Sequence, residues 1–571
     1  MDESNKKIGR IVGGGLKEGL SVRLTLPAQE VQEGAFVVAE TEEWLFYGLV
    51  TDLQLGSTNP RFADEDSDER LPLHFSSLLH GQTLFTTAEV LPALMMERGP
   101  ALDSKEYTQW QKEIAAGLKE GPSVIPIKTI PSHNTVVRMA SAGDIAEIFG
   151  DTEKKENFTI GYTREQGHPV ALNMEKFVKR SSGVFGATGT GKSFLTRLIL
   201  AGLIDYDAAS ILVLDMHNEY GLNSTDSDTG QEVIGLKTKF TAKVRIVGLG
   251  GGSQIRGNTP DFNLEIKAGD IQPADIEMLT RELNLKETTS TTLEALLTTY
   301  GRDNWYQAFR DMKAGAMIEN DEGKKTPAPD SVAAWANPNV VNVMAAEGLH
   351  NKLRRVFNLS YVVDDPAADG IKEIVKALQG GQHIVLSFGQ HERDIDYLLV
   401  SNLITRRIKK VWENDTNQFR TTGKDEPRPL VIVVEEAHKL LNREMAAQTT
   451  FSNIARELRK YYVTLLIIDQ RPSQIYDEVM SQLGTRVSGW LGDDDDIRAV
   501  LTGLPGRDAL RGMLARLNPT KEVMIMGWGV PMPLPISSRR YDDKFWTELL
   551  GKNKGGGKKK SADENIEDLG F

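Results

Sequence analysis

The chain has no cysteine among its 571 residues, so neither a disulfide framework nor a thiolate metal site can hold it together. That absence fits a reducing cytosol. No apolar run approaches the ~18–20 residues needed to span a membrane. The polar start Met1-Asp2-Glu3-Ser4 lacks the apolar region of a secretory leader. A cytoplasmic protein without membrane association is expected. Positive charge is in deficit: 67 Lys and Arg against 80 Asp and Glu leave a formal net charge of −13. This balance argues against a protein coated in nucleic acid, but not against one that meets DNA in a channel lined by a few local cations.

What is present starts with Gly186-Ala187-Thr188-Gly189-Thr190-Gly191-Lys192-Ser193, which fills every position of G-x-x-x-x-G-K-[ST]. Ser182 to Phe185 leads in as a strand, and Phe194 to Ile204 continues as a helix. Glycines let successive backbone N–H groups turn toward phosphate oxygens, and the helix N-terminus adds partial positive charge. Lys192 supplies a full charge and the Ser193 hydroxyl a Mg²⁺ ligand. Gly186, Thr188, Gly189, Thr190, Gly191, Lys192, Ser193 and Phe194 are therefore expected to bind ATP, with Arg180 just upstream as a further contact.

The length suggests about three or four domains. Residues 1–165 read as short strands, with alternation in Val22 to Leu26 and β-rich stretches at 35–39 and 44–50, which predicts a small β-barrel. Tyr107 to Gly117 reads as a helical insert. The acidic run Asp64 to Glu69 reads as a solvated loop or, alternatively, a metal site. Residues 166–272 begin an α/β core, with Ile211 to Asp215 as a buried parallel strand closed by an acid. Residues 273–380 change to helical spacing (Ile276-Leu279-Leu283, Leu349-Leu353-Val356), predicting an insertion of about four helices with a loop at Glu319 to Pro329. Residues 381–545 return to the core, and 546–571 read as a flexible charged tail or a partner-docking segment.

Leu430 to Val434 is an apolar run ending in Glu435-Glu436. In such a pair the first carboxylate serves the Mg²⁺ shell and the second polarises the attacking water. Glu435 stands where Asp is commoner, so its metal contact is expected through water. Gln470, at the tip of the strand Val463 to Ile468, is the candidate γ-phosphate sensor.

Asp215-Met216-His217-Asn218-Glu219-Tyr220-Gly221 resembles the D-x-H-x-E-Y-G signature of the HerA branch of the HerA/FtsK ATPases. Glu435-Glu436-Ala437-His438, Ile454 to Tyr461 and Gln470-Arg471-Pro472-Ser473 follow in the same order, and the barrel and helical insertion are similar to those of that family. The departures are Glu435 for Asp, and Leu458 and Tyr462 where the family has Gly. The resemblance implies a RecA-like P-loop ATPase core, a homohexameric ring with ATP between subunits, and DNA threaded through its centre. It also implies an arginine reaching each site from the neighbour: Arg459 first, then Arg456, with Arg180 and Arg486 as further possibilities. Pore contacts are sought in the glycine-rich loop with Lys243, Arg245 and Arg256, or in Lys439 to Arg443; both also read as ordinary exposed loops. Such rings work with a nuclease, and related bacterial proteins accompany antiphage effectors such as a sirtuin-like NADase, for which the barrel is the natural docking platform. The main expectation is an ATP-driven DNA translocase or helicase. The alternative is an ATP-regulated scaffold that assembles and activates a partner enzyme; a conjugation-type motor is disfavoured by the lack of a membrane segment.

Overall fold

A computed structural model describes residues 6–58, 84–100, 105–116, 123–225, 230–319, 323–446, 451 and 457–552. Arg456, the acidic run 64–69 and residues 553–571 lie outside them; residues 546–552, expected as the start of a flexible tail, instead continue the helix Asp543–Lys552, with Trp546 and Leu549 buried. The chain packs as two compact units: Met1–Phe177 with Phe185–Leu198 and Gly484–Phe571, and Val178–Val184 with Ile199–Leu483.

The first unit opens with seven strands, β1 (Lys7–Gly15), β2 (Gly19–Leu24), β3 (Phe36–Glu40), β4 (Trp44–Ser57), β5 (Leu84–Glu97), β6 (Val124–Pro126) and β7 (Val136–Met139). They are ordered β2-β1-β7-β3-β4-β5-β6, and β2 also pairs with β5, closing a six-stranded barrel with β6 on its outer edge. Alternation points Ile11, Val22, Val37, Phe46, Val90 and Val137 into one apolar core. Register shifts at Ile11/Gly13 and Tyr47/Gly48 supply the extra twist that closure requires. The predicted insert is the helix Lys105–Ala115. A buried cation lies on the barrel's outer face, opposite the side that Val137 and Met139 give to the core: Arg138 donates to Glu40 at 2.6 Å and to Asp144 at 2.7 Å, and Asp144 also accepts the Ser141 backbone N–H in a capping box. The same unit holds the antiparallel strands β8 (Asn157–Tyr162), β9 (Pro169–Asn173), β23 (Thr485–Ser488), β24 (Glu522–Gly527) and β25 (Leu534–Ser538).

The second unit is built on a parallel sheet. Its strands are β10 (Ser182–Phe185), β11 (Ser210–Asp215), β14 (Val244–Leu249), β15 (Phe262–Leu264), β20 (His383–Ser387), β21 (Leu430–Glu435) and β22 (Val463–Asp469), ordered β15-β14-β20-β11-β21-β22-β10. Strands β11, β20, β21 and β22 are buried at every position. Continuous Val/Ile/Leu runs are what a sheet covered on both faces selects. Two-stranded ladders fill the connections: β12 (Ser224–Thr225) with β13 (Glu232–Val233), and β16 (Ile266–Lys267) with β19 (Val362–Val363).

Between β16 and β20 the described residues form seven helices rather than about four. Thr288–Tyr300, Trp305–Asp311, Val343–Phe357 and Gly370–Gln379 are the longer ones, and Trp305, Tyr306, Phe309 and Leu353 fill their core. The additional Pro273–Glu277, Thr280–Leu283 and Val332–Ala336 are about one turn each, too short to show a 3.6-residue period. Local caps mark two of them: Gln272/Asp275 with Pro273 at the first turn, and Ser331. The expected loop at 319–329 contains a hairpin, β17 (Met317–Glu319) with β18 (Lys325–Pro327). Its residues are largely exposed, so no buried face enforces an alternation in the sequence.

Candidate nucleotide site

In the first unit, Gly186 (φ 154°), Gly189 (φ 78°) and Gly191 (φ 80°) shape the phosphate loop. A Cβ on Gly186 would fall 2.5 Å from the Thr190 hydroxyl, so glycine is required there by a close approach. At Gly189 and Gly191 a Cβ would meet nothing within 4 Å. These two glycines face open space in a backbone conformation that side chains resist, as a cradle for an anion should. The loop is braced by a segment that the sequence reading missed: Gly489 N–H donates to Phe185 O and Ala187 N–H to Trp490 O, both at 2.9 Å. The glycines of Gly489-Trp490-Leu491-Gly492 were its only local sign. Ala187 O accepts from the Thr190 hydroxyl at 2.7 Å and from Lys192 Nζ at 2.9 Å, so the lysine ammonium rests on its own loop. Lys192 opens the helix Lys192–Tyr206. Phe194, half-buried, lies 6.4 Å from the Tyr541 ring, with the Arg197 guanidinium 5.3 Å from its centroid.

In the second unit the parallel strands β11, β21 and β22 bring their carboxyl ends, Asp215, Glu435 and Asp469, to one edge of the sheet. Asp215 accepts the backbone N–H groups of Glu219 (2.7 Å) and Tyr220 (2.9 Å), which folds the Asp215–Gly221 signature into a tight turn. The Tyr220 hydroxyl then donates to Glu435 Oε1 at 2.8 Å, and the Tyr397 hydroxyl to the Glu435 carbonyl at 2.7 Å. Glu435 Oε2 is buried with no hydrogen-bond partner among the described residues. Burial, and then the charge of Asp215, push the Glu435 carboxyl well above the ordinary range. Asp215 is pushed up to about 6, by burial against the opposing backbone N–H bonds. Glu435 and Asp215, buried carboxylates at one sheet edge with no ion pair among the described residues, are a place where positive charge is expected to arrive.

Glu436 has a left-handed backbone (φ 45°), a strained conformation for a side chain and one that recurs at functional sites. Gln470 Nε2 lies 3.4 and 3.5 Å from its two carboxylate oxygens, so the structure brings together the expected water activator and γ-phosphate sensor. His438 and Asp469, not singled out in the sequence, flank the pair. Asp469 accepts His438 N–H at 2.7 Å and the ring Nδ1 at 3.0 Å.

Of the arginines, Arg459 lies on the 3₁₀ turn Leu458–Tyr461, exposed and without an ion pair among the described residues. Arg180 is half-buried. Arg486 is 2% exposed and donates to the carbonyls of Val500 and Thr502, so it holds a helix end and presents no guanidinium at the surface. The pore candidates separate in the same way. Lys243 is 3.7 Å from Asp207, Arg245 pairs with Glu373 at 2.8 Å, and Lys439 pairs with Asp394 at 2.8 Å. Arg256 is exposed (φ 49°) and has no ion pair among the described residues.

Each unit carries its own part: in the first, an open glycine cradle followed by Lys192 and Ser193 suits the phosphates of a nucleotide; in the second, a buried Glu435 oxygen without a donor among the described residues suits a cation. With the parallel strand-to-loop-to-helix passage, these features define a RecA-like P-loop ATPase. Residues 158–408 match the family model described as "Helicase HerA, central domain". The chain is 24% identical over 546 residues to the DNA double-strand break repair helicase HerA of Sulfurisphaera tokodaii, covering 94% of each chain. It is 22% identical over 492 residues to the Pyrococcus furiosus protein of that name, covering 79% of this chain and 82% of the relative. A solved structure, VirB4 of Thermoanaerobacter pseudethanolicus, aligns with a TM-score of 0.42 at 14% identity, over 69% of this chain and 98% of that one. The likeness to the HerA helicases runs over most of the chain, and the match to their central domain over residues 158–408. No helix among its described residues is long and apolar enough to cross a membrane.

Proposed function

We propose that the chain hydrolyses ATP to move DNA, as a homohexamer in which each site is completed by the next subunit. The observation that carries this reading is Glu436, a strained carboxylate beside Gln470 at the end of β21. Bound Mg²⁺ would neutralise phosphate charge, held by the Ser193 hydroxyl and, through water, by Glu435. Lys192 exchanges its loop carbonyl for phosphate oxygens, and the loop N–H groups orient them. Glu436 accepts the proton of the attacking water, and Gln470 donates toward the γ-phosphoryl oxygens. Arg459, exposed and unengaged within its own subunit's described residues, is the first choice for the guanidinium given to a neighbour's site. Arg456 is the second choice. Such a finger is worth ~10³–10⁵ in rate where dissected. Arg256 supplies a phosphodiester contact in the channel.

The chain's own domains are proposed to run 1–165, 166–272, 273–380 and 381–545, followed by the tail, and the barrel is proposed to receive a nuclease or another effector such as a sirtuin-like NADase, in DNA end processing or antiviral defence. The test is ATP hydrolysis by the purified protein with and without double-stranded DNA. DNA-stimulated turnover is expected; a folded protein without turnover in either condition overturns the motor reading.

One observation favours a second reading. Lys243, Arg245 and Lys439, three of the candidate pore cations, are all engaged with carboxylates. A ring that assembles and activates a partner enzyme, with ATP regulating assembly, needs no cation for DNA. Partner activation that survives Glu436→Gln selects the scaffold; its loss selects the motor.

A further inference from the structure

Among the described residues, Glu436 has no strong tether of its own. Its backbone is left-handed, and Gln470 Nε2 approaches at 3.4 and 3.5 Å, the outer limit of hydrogen bonding. The second neighbour is His438, whose Nδ1 lies 3.7 Å from Glu436 Oε2. That ring is fixed from the other side. Asp469, whose side chain is fully buried, accepts the His438 backbone N–H at 2.7 Å, its ring Nδ1 at 3.0 and 3.2 Å, and the Arg471 backbone N–H at 2.7 Å. With the carboxylate spanning both, Nδ1 must carry a proton, which fixes the tautomer and the plane of the ring. The hydrogen bond to Asp469 also favours the charged imidazole.

We infer that His438, clamped by Asp469 at the end of β22, is a positioning residue: its ring sets where the Glu436 carboxylate stands for proton abstraction from the attacking water. The bond to Asp469 uses the Nδ1 proton, so His438 acts on Glu436 through charge and shape at 3.7 Å rather than through a hydrogen bond. This explains why a buried acid stands at the tip of β22, immediately before Gln470: one strand end holds both residues that flank Glu436. The inference rests on reading Glu436 as the group that takes the water proton.

The test compares His438→Asn, His438→Gln and Glu436→Gln in the full chain. The Asn amide nitrogen replaces Nδ1 and keeps the bond to Asp469, so this variant folds while losing the ring and its charge. Expected for His438→Asn is a fall in kcat for ATP of about tenfold, the loss that one near-contact charge can produce. KM and the affinity for a fluorescent ATP analogue should stay within about twofold. His438→Gln, which also loses the bond to Asp469, should fall further in kcat with the same KM. Wild-type kcat in His438→Asn, or kcat and nucleotide affinity falling together, overturns the inference. Glu436→Gln separates the failures. If it still turns over ATP, the reading of Glu436 fails and takes the inference with it. If it is inactive while His438→Asn runs at the wild-type rate, only the role of His438 falls.

Discussion

The barrel and the parallel sheet each bury charged groups, and they treat them in opposite ways. In the barrel, Arg138 sits between Glu40 and Asp144, and every oxygen of Asp144 meets a donor. Burial alone would raise the Asp144 carboxyl, but the hydrogen bonds from Arg138 and Ser141 hold it below its ordinary value. At the sheet edge, Glu435 and Asp215 are more deeply buried, receive only hydroxyl and backbone donors among the described residues, and are both raised. A buried ion pair with its partners present completes a structure. Buried carboxylates without a cation cost stability, and persist where a ligand supplies the missing charge.

The largest test of this contrast is chemical. Glu436→Gln should lower kcat by ~10²–10⁴, the range for a general base, while leaving ATP binding intact; steady-state hydrolysis and nucleotide titration check both. In the barrel, Arg138→Met removes the cation and strands two carboxylates, one of them buried, which should destabilise by ~3–5 kcal/mol in denaturant unfolding. Glu435→Gln should do far less to the metal-free fold. Burial already favours the neutral form of that carboxyl, so the amide should shift unfolding by no more than ~1 kcal/mol, while turnover falls.

The two regions should also respond oppositely to pH. Asp144, lowered in the folded state, contributes stability that is present above its unfolded pKa and lost as pH falls through its folded pKa. Asp215, raised to about 6, binds more protons folded than unfolded, so its contribution falls as pH rises from its unfolded pKa toward 6. Thermal unfolding of wild type and Asp215→Asn across pH 4–7, with chelator present, should show the variant gaining stability relative to wild type as pH rises. The smallest expected effect is at Tyr462. The structure holds it at φ 65°, with its hydroxyl on Glu426 at 2.8 Å. Tyr462→Gly relieves the left-handed strain but loses an exposed hydrogen bond, so unfolding should shift by no more than ~1 kcal/mol.

Much of this was legible in the residues because it is local. The phosphate loop, the apolar runs ending in Asp215 and Glu435, and the alternation in Val22 to Leu26 are contiguous patterns that backbone geometry reads directly. Partnership over long separations was not legible. Nothing near Gly186 shows that Gly489 and Trp490 brace the loop, and nothing near Glu435 announces the hydroxyls of Tyr220 and Tyr397. The arginines make the same point. Arg486 and Arg459 look alike in a sequence, and only packing shows one buried under helix carbonyls and the other exposed.

If the uncompensated carboxylates await a nucleotide and its metal, stability must couple to both together. The direct measurement is the thermal unfolding of Glu436→Gln, which binds without turning over, with ATP plus Mg²⁺ and with ATP plus chelator. The expected result is a larger Tm rise with Mg²⁺ present, and loss of that difference when Glu435→Gln is added. An equal rise with and without Mg²⁺, or a Mg²⁺-dependent rise that persists without the Glu435 carboxylate, would contradict it.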